Sequence, residues 1–95
     1  TTRLADGMAV RRADSQALAL LAQGLDHVVA VDDAEVGAAM RALHTDTHNL
    51  AEGAGAAALA AALQERAALQ GQSVGVALTG ANVDAALLGE VLRQP

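Results

Sequence analysis

Three short runs join an oxygen-bearing side chain to glycine, and they hold the residues best suited to chemistry. Thr79-Gly80-Ala81-Asn82 carries a hydroxyl and an amide around one glycine. Glu52-Gly53-Ala54-Gly55-Ala56 sets a carboxylate at the start of a helix, where the helix dipole favours an anion. Its glycines would let the backbone approach a planar ligand closely. Asp6-Gly7 offers a second carboxylate. Each run also has an ordinary structural reading. The first is a strand-to-helix turn in which Gly80 permits tight geometry and Asn82 caps the next helix. The second is the first turn of a tightly packed alanine helix, and the third is a plain Asp-Gly turn.

His44 and His48 are four residues apart, which puts both on one helix face if the helix runs that far. Zinc would need a third and a fourth ligand, and nothing else is spaced to supply them. A solvated helix end is the simpler reading, and no metal site is expected. His27 opens a strand-like run and reads as structural.

The elements that must position these residues follow from periodicity. Asp14 can cap a helix over about 15–23, with Leu18, Leu21, Ala22 and Leu25 on one stripe and Gly24 at its end. His27-Val28-Val29-Ala30-Val31 is a short β-branched run, hence a strand. Asp32-Asp33-Ala34-Glu35 offers a capping box for a helix bearing Val36, Met40 and Leu43 and ending near Thr47-His48-Asn49. A helix from Gly53 to about Leu69 is apolar all round in its first half, the mark of burial, and Gly71 stops it. Ser73 to Leu78 is a second strand. Val83, Leu87, Leu88, Val91 and Leu92 form the stripe of a last helix that ends before Pro95.

The order α-β-α-α-β-α implies an α/β layer fold with parallel strands. Both strands are continuously apolar, as strands are when a parallel sheet is covered on both faces. Two such strands alone would be all edge, and bare apolar edges invite aggregation. More strands are therefore needed than 95 residues supply. A missing N-terminal part or another subunit would provide them, and a homo-oligomer is expected.

Composition narrows the function classes. The chain is 53% hydrophobic, yet it lacks Phe, Tyr, Trp, Ile, Cys and Lys, so its core must be Leu, Val, Met and Ala. Alanine buries little area per residue, which lowers the hydrophobic gain. Net charge is −5 with six arginines as the only cations besides His. No basic patch and no stacking aromatic exists, so nucleic acid is not an expected partner. No apolar run reaches the roughly 18 residues of a spanning helix, and Thr1 to Asp6 is no signal peptide. No membrane partner and a cytoplasmic location are expected. The chain opens without an initiator Met, as if cut from something longer.

Three segments together carry a family resemblance: Ala5-Asp6-Gly7-Met8-Ala9-Val10, Asp46-Thr47-His48-Asn49-Leu50-Ala51-Glu52-Gly53-Ala54-Gly55-Ala56, and Leu78-Thr79-Gly80-Ala81-Asn82. In order and spacing they resemble the C-terminal third of the pyridoxal-phosphate (PLP) dependent threonine/serine dehydratases, of fold type II. The resemblance covers nearly all 95 residues. It implies that residues 1–95 are the C-terminal part of a three-layer, parallel-sheet catalytic domain that binds PLP. It implies cofactor-binding roles for Thr79, Glu52, Gly80, Asp6, Gly7 and Asn82. Thr79 would face the pyridine nitrogen, Glu52 would lie beside the ring, and Asp6-Gly7 would line the cleft. A hydroxyl is a neutral partner and cannot hold that nitrogen protonated as a carboxylate would. Ala81 stands where the family usually has a second glycine. A left-handed backbone there would cost alanine about 1 kcal/mol.

The reaction so implied is the conversion of an amino-acid substrate, L-threonine or L-serine, to a 2-oxo acid and ammonia. It requires a Schiff-base lysine and a glycine-rich phosphate cradle. This chain has no lysine; in the family both features lie upstream. No catalytic residue is therefore expected here, and the chain alone is expected to be inactive and to hold no PLP. A serine racemase-like enzyme fits the same residues. The competing class is a small non-enzymatic α/β oligomerisation module or a decayed fragment, supported by the missing lysine and the partnerless apolar strands.

Overall fold

In the computed structural model, which describes residues 2–94, helices are joined by extended segments. A 3-10 turn covers Asp6–Met8. The α-helices among the described residues are α1 (Ser15–Gly24), α2 (Asp33–Thr47), α3 (Gly53–Gln64), α4 (Arg66–Leu69) and α5 (Ala85–Leu92).

Local chemistry sets most of their ends. Asp14 accepts the Gln16 N–H at 3.3 Å and opens α1. Asp32 accepts the Glu35 N–H at 2.8 Å while Glu35 accepts the Asp32 N–H at 3.0 Å, a complete capping box for α2. Glu35 also accepts from the Gln64 amide at 2.9 Å, which ties the start of α2 to the end of α3. His48 takes a left-handed backbone, φ 56°, and the chain folds back so that the Asn49 N–H donates to the Leu43 carbonyl at 3.0 Å. His48 therefore lies beyond the helix, and the shared face expected for His44 and His48 does not form.

Three helix expectations need correction. The helix from Gly53 to Leu69 breaks at Glu65, whose φ of −96° and ψ of 15° separate α3 from α4. Gly71 turns the chain beyond it with a φ of 82°. The last helix starts at Ala85 and not at Val83, and it has no side-chain cap, so Asn82 does not cap it. The Leu18, Leu21 and Leu25 stripe of α1 is exposed, and α1 touches none of the other helices.

The core is where α2, α3 and α5 meet. Val36, Ala39 and Met40 of α2, Ala56 and Ala60 of α3, Val91 of α5 and Ala51 are buried together. Leu4, Val31, Leu43, Leu59, Val83 and Leu88 pack around them. Alanines at the contact let helix backbones come close, and the few larger side chains fill what space is left.

The two segments expected as strands form no ladder, and no strand occurs among the described residues. No backbone hydrogen bond joins 27–31 to 73–78. Val28, Val74, Val76 and Leu78 are exposed. A strand is held by a neighbour's amides and carbonyls, and neither segment has such a neighbour among the described residues. Both border one open apolar trough of about 470 Å³, in which Val29, Val31 and Ala77 face Ala54, Ala57, Ala58 and Ala61 of α3.

The first of these segments is pinned by its ends. The His27 ring lies 2.6 Å from Asp26 through Nδ1 and 2.9 Å from both Glu65 oxygens through Nε2. The Gln64 amide donates to the Ala30 carbonyl at 2.8 Å. The hydrogen bond to Glu65, then that to Asp26, raises the His27 pKa above its ordinary value. Toward the N-terminus, Asp33 accepts from the Thr2 hydroxyl and the Arg3 N–H, and these bonds lower its pKa.

Two predictions follow from this packing. Met40→Ala removes the largest fully buried side chain and should cost about 2–5 kcal/mol in a denaturant melt; a loss well below that range would mean that Met40 is not central to the core. His27 has a raised folded pKa, so its pairing with Glu65 is fully present below the unfolded imidazole's range and is lost as pH rises through the raised value. NMR titration of the His27 ring should find that raised midpoint, and Glu65→Gln should lower it.

Candidate functional site

The start of α3 is a place where three remote pieces of backbone meet. A Cβ built on Gly53 would overlap the Leu4 carbonyl, and one built on Gly55 would overlap the Gly80 carbonyl. Only glycine admits those approaches. The Glu52 N–H completes the second contact by donating to the Gly80 carbonyl at 3.1 Å. Gly53, Gly55, Ala56 and Ala57 are all buried here.

The Glu52 carboxylate lies against Gly80, where its Oε1 occupies the space a Cβ would need. On its other side, a Cβ at Gly7 would come within 3.8 Å of Oε2 and within 3.1 Å of the Ala54 methyl. Glycine at 7 and at 80 thus leaves room for one carboxylate between two loops. Glu52 itself is half-buried.

Gly7, Glu52 and Gly80 are brought into one cluster, and Thr79 adjoins it through the chain. The exposed Thr79 borders the trough along α3 together with Met8. Its hydroxyl makes no hydrogen bond among the described residues. Asp6 opens the 3-10 turn, where its carbonyl accepts the Ala9 N–H at 3.0 Å, and its carboxylate makes no hydrogen bond among the described residues. Asn82 is exposed and its side chain is likewise unengaged. Four of the six candidate residues are therefore collected, and Asp6 and Asn82 flank them.

Two details differ from expectation. The glycines after Glu52 accommodate the chain's own carbonyls at Leu4 and Gly80, not a planar ligand. Ala81 has no left-handed backbone, since His48 alone among described non-glycine residues has a positive φ. Alanine is therefore unstrained at that turn. Leu4 and Met8 were not singled out beforehand. Met8 lies within the run that carries the first motif, but nothing local marks the Leu4 carbonyl as a partner for Gly53.

Among the described residues, no group of three or more His, Asp or Glu side chains is arranged to hold a metal ion. No described helix is long and apolar enough to cross a membrane.

Comparison with known proteins bears on what this cluster is for. Residues 1–80 match the family described as pyridoxal-phosphate dependent enzyme. An L-threonine ammonia-lyase of Geobacter sulfurreducens is 38% identical over 95 residues, covering 99% of this chain and 23% of that protein. An L-threonine ammonia-lyase of Thermotoga maritima is 31% identical over 91 residues, covering 96% of this chain and 22% of that protein. The biosynthetic L-threonine dehydratase IlvA of Haemophilus influenzae is 37% identical over 82 residues, covering 84% of this chain and 16% of that protein. The chain thus spans less than a quarter of the length of these relatives. No solved structure gives a significant match.

The glycine contacts predict a contrast between two alanine substitutions. In Gly53→Ala the new methyl meets backbone, which cannot swing aside. It should destabilise by about 1–3 kcal/mol. In Gly80→Ala the methyl meets the flexible end of Glu52, so the loss should be smaller. Denaturant midpoints of the two variants give the comparison, and equal losses would contradict these contacts.

Proposed function

Because the chain belongs to the pyridoxal-phosphate dependent enzyme family, we propose that it is the C-terminal part of the catalytic domain of an L-threonine dehydratase. The reaction is L-threonine to 2-oxobutyrate and ammonia, the water lost in the elimination being returned in the final hydrolysis. The observation that carries the reading is the convergence of Gly7, Glu52 and Gly80, from three motifs far apart in sequence, beside Thr79. The names of the relatives favour threonine as the substrate.

The residues present fit PLP along one wall. Thr79 supplies an exposed hydroxyl with no hydrogen-bond partner among the described residues, suited to a hydrogen bond with a ring nitrogen. Alanines and Met8 line the trough beside it with apolar surface. When bound, PLP supplies an electron sink for the bonds at the substrate Cα. A neutral hydroxyl at Thr79 would not hold a proton on the ring nitrogen as a carboxylate would, and a weaker sink would favour loss of the β-hydroxyl. Glu52, fixed against Gly80 and Gly7, would lie beside the ring, and Asp6 would line the cleft. Asn82 lies at the far side of the Thr79 turn.

The lysine and the phosphate cradle come from residues outside this chain, which has no lysine. The same outside part, or another subunit, adds the strands that turn 27–31 and 73–78 into a parallel sheet of fold type II. The bare stripe of α1 and the exposed valines of both extended segments support this, and a homo-oligomer is in keeping with them.

The test is the intact mass of the purified natural protein together with its absorbance near the violet edge. A mass several times 9.5 kDa with a band from lysine-bound cofactor is the expected result. A mass of about 9.5 kDa without a band would sink the reading and leave a catalytically silent fragment.

A further inference from the structure

Glu52 grips residue 80 from two sides. Its N–H donates to the Gly80 carbonyl at 3.1 Å, and its carboxylate lies over the Gly80 Cα. The first contact brings the Gly80 carbonyl into the first turn of α3, and the space it enters is the space a side chain at Gly55 would fill. Gly55 is buried and does not line the open trough, although its neighbour Ala54 does. The amide involved is one that a helix start ordinarily leaves without a protein partner.

We propose that Gly55 is a positioning residue: by admitting the Gly80 carbonyl it locks the Thr79 turn to Glu52, so that hydroxyl and carboxylate are set as one unit. The role rests on the proposed PLP reading. It goes beyond it by assigning the register between two cofactor-facing groups to a residue that faces neither cofactor nor substrate. Gly55→Ala drives a methyl into the Gly80 backbone, which must withdraw and carry Thr79 with it. Gly24, at the end of α1, is a contrast, since a Cβ there meets nothing.

The test uses the full-length holoenzyme and has two readouts. The first is hydrogen exchange of the Glu52 amide in the unaltered protein, which needs no variant to fold. Protection of about a hundredfold or more over the unstructured rate is expected. Exchange at the unprotected rate overturns the proposal. The second is the cofactor dissociation constant, followed by absorbance, in a double-mutant cycle of Gly55→Ala with Thr79→Ala. Gly55→Ala alone should weaken binding by about tenfold, with Gly24→Ala unchanged. In the Thr79→Ala background the same substitution should have little effect, because there is no hydroxyl left to misplace. Thr79→Ser, which keeps the hydroxyl, should restore the sensitivity to Gly55→Ala. Effects that multiply independently in the cycle overturn the positioning role. A wild-type protein with no cofactor band overturns the PLP reading itself and this role with it. In that case a protected Glu52 amide would mark only a contact of the fold.

Discussion

The approach of two carbonyl oxygens to the first turn of α3 is the contact on which the rest of the molecule depends. Leu4 reaches it at Gly53 and Gly80 reaches it at Gly55. Between them these contacts join the beginning of the chain, its middle and the segment before α5. A side chain at either glycine would part them. Everything that resembles a site, from the Glu52 carboxylate to the Thr79 turn, is assembled around those two points. The alanine-rich meeting of α2 with α3 then acts as the buttress. Ala39, Ala56 and Ala60 are almost wholly buried and leave no room for the helices to shift against each other.

Against that compact side stands an open one. The stripe of α1, the valines at 28, 74 and 76, and the trough along α3 all present apolar surface without a cover. The physical cause is the same for each. An extended segment or an amphipathic stripe is only half of a contact, and the other half is not among these residues. The continuous apolar character of 27–31 and 73–78 is legible in the sequence, and among the described residues neither segment finds a strand to pair with.

Much of the fold could be read from local chemistry. Asp14 and the Asp32–Glu35 box mark helix starts because a carboxylate near a free N–H is a short-range interaction, written in three or four residues. The buried face of α3 was legible because its first half has no polar residue to turn outward. The break at Glu65 was not, since the residue is a good helix former and its carboxylate is engaged by His27, distant in sequence. The late start of α5 was hidden by Val83, which continues the helical spacing while lying outside the helix and packing on the core. At the site, the glycines after Glu52 were recognised as points of close approach, but what approaches them comes from residues 4 and 80. Such pairings depend on the tertiary path and leave no local mark.

The fixed length of α3 carries one more consequence. Its twelve residues make a rod of about 18 Å, with Glu52 at one tip and the Glu65–His27 pair at the other. A rod of that length acts as a lever. A tilt of about 3° at the Glu65 end would move the Glu52 tip by about 1 Å, a displacement on the scale that matters for reacting groups. The alignment of the Glu52 carboxylate is therefore exposed to leverage from a surface ion pair that lies nowhere near it.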